Sequence, residues 1–273
     1  MKLYAISDLH LTYKINRDAL VDLPSHSQDW IIIAGDLGES EAYFHFAFSV
    51  LSKKFAKIIW TPGNHDLWTH PSDPKQLKGN AKYQSLVSIC HEYGVLTPED
   101  PYITWSGEGS SCLIVPIFIL YDYTFKPDDV PCNEAIDWAK KAGIFCRDET
   151  YISPMPYRSL SDWCKARYEY TQRRLQAIPR RLPLVFINHF PLHPGPLARL
   201  TNIPQFSIWC GTIKTSDWHI KYPAKSVVYG HLHIRSSDVY DGVKFEEVSL
   251  GYPKHWDQSK NMEYYLREIL PGK

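Results

Sequence analysis

The sequence predicts an α/β fold in which a core of two β-sheets is flanked by helices. Three observations support this prediction: short apolar segments that recur along the chain, amphipathic segments of helical period beside them, and a hairpin signal near the carboxyl end. The apolar segments show no polar alternation, which is typical of strands covered on both faces.

Five of these segments predict the central strands, because each is rich in Ile, Val, Leu or aromatic residues. They are residues 2–7, 30–34, 57–61, 184–188 and 226–229. Residues 41–55 predict a helix, since Phe44, Phe48 and Leu51 fall at helical spacing. A second helix is predicted around residues 83–90, so the first hundred residues resemble β-α-β units.

The second sheet is predicted from features of the later chain. Asp241-Gly242 separates two strand-like stretches, and both turn positions of such a hairpin favour positive φ. Residues 102–105 and 113–120 add further strand-like segments. Repeated prolines between residues 122 and 183 flank two predicted helices, at 134–141 and 161–178. We therefore expect a single domain over residues 1–273, with a helical insertion or cap at about 122–183.

The composition is that of an ordinary globular protein and argues against several classes. Lys+Arg and Asp+Glu number 30 each, so the formal net charge is zero, which argues against a function in bulk electrostatic binding of nucleic acid. No basic and apolar leader opens the chain, and the longest apolar run falls short of the roughly 20 residues that span a bilayer. Six scattered cysteines without a CxxC pair favour reduced thiols. We expect a cytoplasmic protein with no membrane segment.

Each of the five central strands runs directly into an unusual polar group. The carboxyl ends of strands in an open α/β sheet form the crevice where ligands bind, so we expect these groups to converge. They are Asp8-Leu9-His10, Gly35-Asp36-Leu37-Gly38-Glu39, Gly63-Asn64-His65-Asp66, Asn188-His189 and Gly230-His231-Leu232-His233.

The donor types in these groups indicate a pair of metal ions. Two Asp, one Asn and four His offer oxygen and imidazole ligands without a thiolate, which favours Mn, Fe or Zn over Ca or Cu(I). Seven ligands exceed the need of one ion but suffice for two that share a carboxylate. The DxH and GD motifs alone are weak signals, since an Asp after a strand is often a turn residue, whereas GNHD and GHLH are each fairly specific. Their number and order give the prediction its strength.

In this order the motifs DxH, GDxxE, GNHD, a later His and GHxH resemble those of the calcineurin-like metallophosphoesterases, over residues 8–233. The resemblance implies a four-layer αββα sandwich of two packed mixed β-sheets flanked by helices. It also implies a catalytic imidazole, His65, with Asp66 as its orienting carboxylate. One metal ion would be held by Asp8, His10, Asp36 and His233, and the other by Asp36, Asn64, His189 and His231, with Asp36 bridging.

The family resemblance implies a mechanism as well. Two Mn or Fe ions, with Zn as an alternative, would lie about 3.5–4 Å apart and activate a bridging hydroxide that attacks phosphorus in line. His65 would protonate the leaving oxygen as a general acid, a role that suits imidazole because its unperturbed pKa is about 6.5.

Further segments resemble a narrower group of this family, the carrier-protein 4′-phosphopantetheinyl hydrolases, from Asp8 to about Trp256. This second resemblance implies that the substrate is a phosphodiester between pantetheine and a serine of an acyl carrier protein. The segments are residues 55–60, 64–69, 121–123, 206–212 and 240–253.

A local excess of positive charge is consistent with an acidic partner. Residues 151–184 contain two acidic side chains and seven basic ones, and complementary patches steer the encounter of proteins. An acyl carrier protein could dock on Arg158, Arg167, Arg173 and Arg174, although a solvated helix face is the alternative interpretation. The seven basic residues are Arg158, Lys165, Arg167, Arg173, Arg174, Arg180 and Arg181.

Other functions stay open at this point. The same two-metal core serves phosphatases and phosphodiesterases that act on nucleotides, small molecules or phosphoproteins. A binding scaffold that has lost catalysis is a further alternative, although every expected ligand and His65 are present. The sequence identifies no substrate-binding residue.

Overall fold

The computed structural model describes residues 1–179 and 182–272. Its strands are β1 Leu3–Ile6, β2 His26–Ile33, β3 Phe55–Trp60, β4 Ile103–Trp105, β5 Cys112–Pro116, β6 Leu184–Ile187, β7 Ala224–Tyr229, β8 Ser236–Tyr240, β9 Val243–Glu247 and β10 Arg267–Leu270. Its α-helices are α1 Lys14–Val21, α2 Glu41–Leu51, α3 Asn64–Leu67, α4 Gly79–Glu92, α5 Ala135–Lys141, α6 Asp148–Tyr151, α7 Leu160–Gln176 and α8 Trp218–Lys221. None of the helices in these ranges is long and apolar enough to cross a membrane.

The strands form two mixed sheets. The first has the order β10-β1-β2-β3, in which β1, β2 and β3 are parallel and β10 pairs antiparallel with β1. The second has the order β4-β5-β6-β7-β9-β8, with parallel inner strands and antiparallel edge strands β4 and β8. The predicted architecture of two mixed sheets flanked by helices is confirmed.

An aliphatic core lies between the two sheets. In β2, Ile32 belongs to this inter-sheet core, whereas Ile31 and Ile33 belong to a second cluster that includes Phe44 and Phe48 of α2. Both faces of β2 are therefore covered, which explains its continuously apolar sequence. The inter-sheet core includes Leu3, Ala5, Trp30, Ile32, Ala34, Ile59, Ile114, Val185, Ile187 and Val228.

Local signals predict most elements, with some differences at their ends. Asp241 and Gly242 have φ of 51° and 81° and join β8 to β9 antiparallel, so the predicted hairpin is confirmed. The strand predicted at 113–120 ends at Pro116, and the helix predicted at 41–55 ends at Leu51 because β3 begins at Phe55. The sequence pattern does not predict β10, a short edge strand.

The chain between β5 and β6 contains α5, α6 and α7. Helices α5 and α7 correspond to the two predicted helices, and α7 begins after Ser159, whose hydroxyl accepts the N–H of Asp162 at 3.1 Å. Helix α6 has four residues and is not predicted. It places the buried carboxylate of Asp148 beside the polar groups at the strand ends.

Candidate metal centre

The seven predicted metal ligands follow the carboxyl ends of five strands, three from the first sheet and two from the second. Six of them lie in loops, and Asn64 is the first residue of α3. Six of them are buried and His233 is half-buried. The seven are Asp8 and His10 after β1, Asp36 after β2, Asn64 after β3, His189 after β6, and His231 and His233 after β7.

The loops hold five of these ligands in the left-handed backbone region, at φ between 41° and 73°. This conformation costs a non-glycine residue on the order of 1–3 kcal/mol and persists where surrounding contacts fix it. Two such contacts join the first two loops, because the N–H of Asp8 donates to the carbonyl of Gly35 (2.9 Å) and that of His10 to the carbonyl of Asp36 (3.1 Å). The five are Asp8, His10, Asp36, His231 and His233.

Two motif glycines leave room for ligand carboxylates. A Cβ atom at Gly63 would lie 2.1 Å from Asp36 Oδ1, and one at Gly230 would lie 2.3 Å from Asp8 Oδ2. Any side chain at these positions would displace a predicted ligand, so close approach explains the glycine of each motif.

Asp8, His10 and His233 form a first cluster of donor atoms. His233 Nε2 lies 2.9 Å from Asp8 Oδ1 and 3.1 Å from His10 Nε2. Asp36 Oδ2 lies 4.0 Å from His10 Nε2. The structure therefore brings together the four residues predicted to hold the first ion.

Asn64, His189 and His231 form a second cluster. Asn64 Oδ1 lies 3.1 Å from both His189 Nε2 and His231 Nδ1. His189 Nε2 also lies 3.4 Å from Asp36 Oδ2, the same oxygen that approaches His10. Asp36 thus lies between the two clusters, where a bridging carboxylate is expected.

The electrostatics of both clusters fit divalent cations. Burial and the nearby His65 lower the pKa of His10 to about 3, and burial and the nearby His189 lower that of His231 to about 3. Both rings are therefore neutral, which is the form that ligates metals. Burial also lowers the pKa of His189, but the carboxylates of Asp36 and Asp8 and the hydrogen bonds of the ring together outweigh it and raise the pKa to about 10. The carboxylates thus favour positive charge between the clusters.

His65 lies beside the first cluster, and three side chains surround its ring. Its Nδ1 lies 3.0 Å from Glu39 Oε1, the Trp68 ring stacks on it with centroids 3.9 Å apart, and the Tyr252 hydroxyl lies 3.4 Å from its Nε2. Burial by itself lowers the pKa of His65, but the Asp36 carboxylate and the hydrogen bond to Glu39 outweigh it and raise the pKa to about 9.

The prediction that Asp66 orients His65 is wrong. The carboxylate of Asp66 instead accepts four backbone N–H groups from the loops after β2 and β3, at 2.8 to 3.1 Å. Because these bonds use both oxygens, Asp66 fixes the loop that carries Asp36, and Glu39 makes the hydrogen bond to His65.

Three residues near the centre were missed by sequence reasoning. The Tyr252 ring lies against His10, with centroids 4.4 Å apart, and His255 Nδ1 lies 3.0 Å from His233 Nδ1. Tyr252 lies in a segment that carries the narrower resemblance, and this signal could have found it. Asp148, which accepts a hydrogen bond from Asn64, belongs to no motif.

A cleft of about 480 Å³ opens beside His65. Its lining includes Glu39 and Trp68, which contact the His65 ring, together with Tyr43, Arg147 and Tyr151. The cleft therefore has room for a substrate group whose oxygen lies near His65. Its walls are aromatic, and they include the exposed guanidinium of Arg147.

The prediction that Arg167 docks a partner is wrong, because the fold uses this charge internally. Arg167 is 7% exposed, and its guanidinium lies 2.8 Å from Glu99 Oε1 and over the rings of Phe118 and Tyr170. Its position on α7 faces the core.

The other basic residues of the predicted docking surface differ in exposure. Arg174 is half-buried, and its guanidinium donates to the backbone carbonyls of Pro98 and Asp100. Arg158 and Arg173 are exposed. The remaining two arginines, Arg180 and Arg181, lie outside the described residues.

Comparison with known proteins gives a family match and a relative that matches nearly all of this chain. A family model described as calcineurin-like phosphoesterase matches residues 1–235. The acyl-carrier-protein phosphodiesterase PptH of Mycobacterium tuberculosis is 45% identical over 271 residues, which cover 98% of this chain and 83% of that protein. The crystal structure of the phosphopantetheinyl hydrolase PptH from the same organism superposes with a TM-score of 0.94 at 44% identity, covering 99% of this chain and 96% of that one.

Proposed function

This chain belongs to the calcineurin-like phosphoesterases, and from that premise we propose that it hydrolyses the phosphodiester joining 4′-phosphopantetheine to a serine of an acyl carrier protein. The observation that carries the proposal is the 45% identity, over nearly the whole chain, to a protein named as an acyl-carrier-protein phosphodiesterase. The intact donor set and His65 support a catalyst over a binding scaffold.

The two donor clusters are assigned to two divalent ions, with Mn or Fe favoured and Zn possible. Such ions, when bound, lower the pKa of a water and neutralise charge on the phosphoryl oxygens. The first ion is assigned to Asp8, His10, Asp36 and His233, and the second to Asp36, Asn64, His189 and His231.

His65 is the proposed general acid. Its Nδ1–H donates to Glu39, which fixes the ring and leaves Nε2–H to protonate the leaving serine oxygen. Because that oxygen belongs to the carrier protein, the serine side of the substrate is expected in the cleft beside His65, between Trp68 and Arg147.

Mass spectrometry of a holo carrier protein incubated with the enzyme and Mn²⁺ tests this function. The expected result is loss of the phosphopantetheine mass and recovery of the apo carrier protein. An apo carrier protein and a phosphoserine protein serve as controls. Release of phosphate from the phosphoprotein without cleavage of the holo carrier protein would replace the proposal with a phosphatase.

We expect the exposed Arg158 and Arg173 to contribute to docking of an acidic carrier protein. The double charge reversal Arg158→Glu and Arg173→Glu should lower kcat/KM for the holo carrier protein about tenfold by slowing the encounter, and the loss should shrink at high salt. A small aryl phosphodiester should be hydrolysed at the wild-type rate. An equal loss on both substrates would show that these residues do not act by docking.

The proposed enzyme works in the cytoplasm. Its six cysteines all carry free thiols in the structure, which supports a reducing compartment.

A further inference from the structure

Asp148 is a buried carboxylate in the short helix α6, far in sequence from the motifs. It is 0% exposed, and the side chains that donate hydrogen bonds to it are neutral, while the charge of the nearby His65 also acts on it. A carboxylate buried without a cation is costly unless hydrogen bonds satisfy its oxygens.

Three side-chain donors satisfy the two oxygens of Asp148. Its Oδ1 accepts Nδ2–H of Asn64 at 3.0 Å and Nε1–H of Trp68 at 2.7 Å, and its Oδ2 accepts the hydroxyl of Tyr121 at 3.2 Å. Two of these donors are functional neighbours, since Asn64 belongs to the second donor cluster and Trp68 stacks on His65.

The hydrogen bond from Asn64 to Asp148 decides which end of the amide faces the metal centre. Because Nδ2 is held by the carboxylate, Oδ1 must point the other way, where it lies 3.1 Å from His189 Nε2 and from His231 Nδ1. A flipped amide would set its oxygen against the Asp148 carboxylate and its N–H groups where a cation is expected.

We propose that Asp148 is a positioning residue that holds the Asn64 amide with its oxygen toward the second metal ion. This inference rests on the proposed two-ion site. Partners that orient metal ligands are typically worth about 10–100-fold in metal affinity or activity. Asp148 also joins α6 to the strand-end loops, so the segment between β5 and β6 helps to build the centre.

The test measures metal binding as well as activity. Asp148→Ala should weaken Mn²⁺ binding at one of the two sites by about 10–100-fold, with a matching loss of kcat for a small aryl phosphodiester. Asp148→Asn should retain both, since its Oδ1 accepts the same two N–H groups and its own amide can donate to the Tyr121 oxygen. Tyr121→Phe is the matched control, because it removes one donor to Asp148 and leaves the bond to Asn64.

A double-mutant cycle separates positioning from general destabilisation. In the Asn64→Ala background, Asp148→Ala should cause little further loss of Mn²⁺ affinity, because the amide it would orient is gone. Thermal unfolding is measured for every variant. If Asp148→Ala does not fold, Asp148→Ser, whose hydroxyl is too short to reach Asn64, is measured in its place.

Two failures are distinguishable. A wild-type protein that binds fewer than two Mn²⁺ ions per chain, by elemental analysis, overturns the two-ion site itself. A wild-type protein that binds two, beside a folded Asp148→Ala that binds both with unchanged affinity, overturns the role of Asp148. Fully additive losses in the double-mutant cycle overturn it as well.

Discussion

The carboxylates of Glu39 and Asp66 near His65 make different contacts. Glu39 meets the imidazole, whereas Asp66, although adjacent to His65 in sequence, accepts backbone N–H groups of two loops. In the short helix α3, consecutive side chains point in different directions, so adjacency in the motif does not give contact. This is why the sequence locates the imidazole but not its partner.

Replacing His65 by Asn should remove the proton donor and leave the metal ligands in place. We expect kcat for the holo carrier protein to fall about 10²–10⁴-fold, the usual range for loss of a general acid. Hydrolysis of an activated aryl phosphodiester should fall much less, since a nitrophenolate leaves without protonation.

Metal content by elemental analysis should be unchanged in the His65→Asn variant. Glu39→Gln, which keeps an acceptor oxygen for Nδ1–H, should show a smaller loss than His65→Asn. A near-wild-type rate of the His65→Asn variant on the carrier protein would end the assignment of His65 as the acid.

At the scale of elements, a buried lysine anchors the loop before α4. Lys82 in α4 is 1% exposed, and its ammonium lies 3.0 Å from Asp73 Oδ2 and donates to the carbonyl of Glu39. Asp73 lies in the loop that forms one wall of the cleft beside His65. One ion pair therefore connects a helix, the cleft wall and the residue that orients His65.

The two partners of this pair should differ in their effect on stability. Asp73→Ala leaves a buried ammonium with one carbonyl partner and should cost about 3 kcal/mol of unfolding free energy. Lys82→Met keeps the apolar stem and leaves Asp73 near solvent, so it should cost about 1 kcal/mol. Urea unfolding of both variants measures the order, and a larger loss for Lys82→Met would contradict this account.

Acidification should act on the same pair. Burial raises the pKa of Asp73, but the hydrogen bond and charge of Lys82, together with backbone N–H groups of the loop, outweigh it and lower the pKa below its usual value. The stabilisation is therefore present above the ordinary carboxyl pKa and is lost as the pH falls through the lowered one. Asp73→Ala should remove this part of the acid sensitivity, measured as the pH dependence of the unfolding free energy.

The ion pair of Lys75 with Glu41 is a comparison on the surface. Lys75→Ala, which breaks this exposed pair, should change the free energy of unfolding by less than about 1 kcal/mol.

In helix α7, the spacing of residues predicts burial better than the charge composition does. Apart from Cys164, its buried residues fall at intervals of three and four, and Arg167 lies on that face with Trp163 and Thr171. Counting charges over residues 151–184 assigned Arg167 to the surface, whereas helical spacing places it inside. Neither the spacing nor the composition predicts α6 and β10, since four residues give too little periodicity and β10 is defined by its pairing with the distant β1.

At the scale of the molecule, the candidate metal centre lies where the two sheets meet. Its donors come from strand ends of both sheets, and Asp36 of the first sheet lies 3.4 Å from His189 of the second. Ions bound there would be linked to folding, because the unfolded chain has no such site.

Removal of metal should therefore lower the unfolding temperature. At a free ion concentration of 100 times Kd, each ion adds about 2.7 kcal/mol to stability, which EDTA should abolish and Mn²⁺ restore. Differential scanning calorimetry with and without chelator measures the shift. The unfolding temperature of Asp36→Asn, which weakens both sites, should change less on addition of EDTA. A wild-type unfolding temperature that is the same with and without EDTA would contradict the linkage.

The convergence of the seven donors is predictable because the rule that ligands lie at strand ends needs only the strands. The contacts that position these donors are less predictable. Asn64 and Asp148, for example, are brought together by packing of the chain between β5 and β6. Tertiary contact of this kind leaves no spacing in the sequence.

The left-handed backbone of five ligands also restricts the mutational history of this site. Glycine and asparagine tolerate that conformation, whereas β-branched residues lose the backbone and the ligand together. A residue at one of these positions must therefore combine two properties, a tolerance of the left-handed backbone and a group that can ligate a metal ion. Asp and His, the two residue types that occupy all five positions, are among the non-glycine residues that adopt positive φ most often, so the backbone and the ligand chemistry select the same side chains.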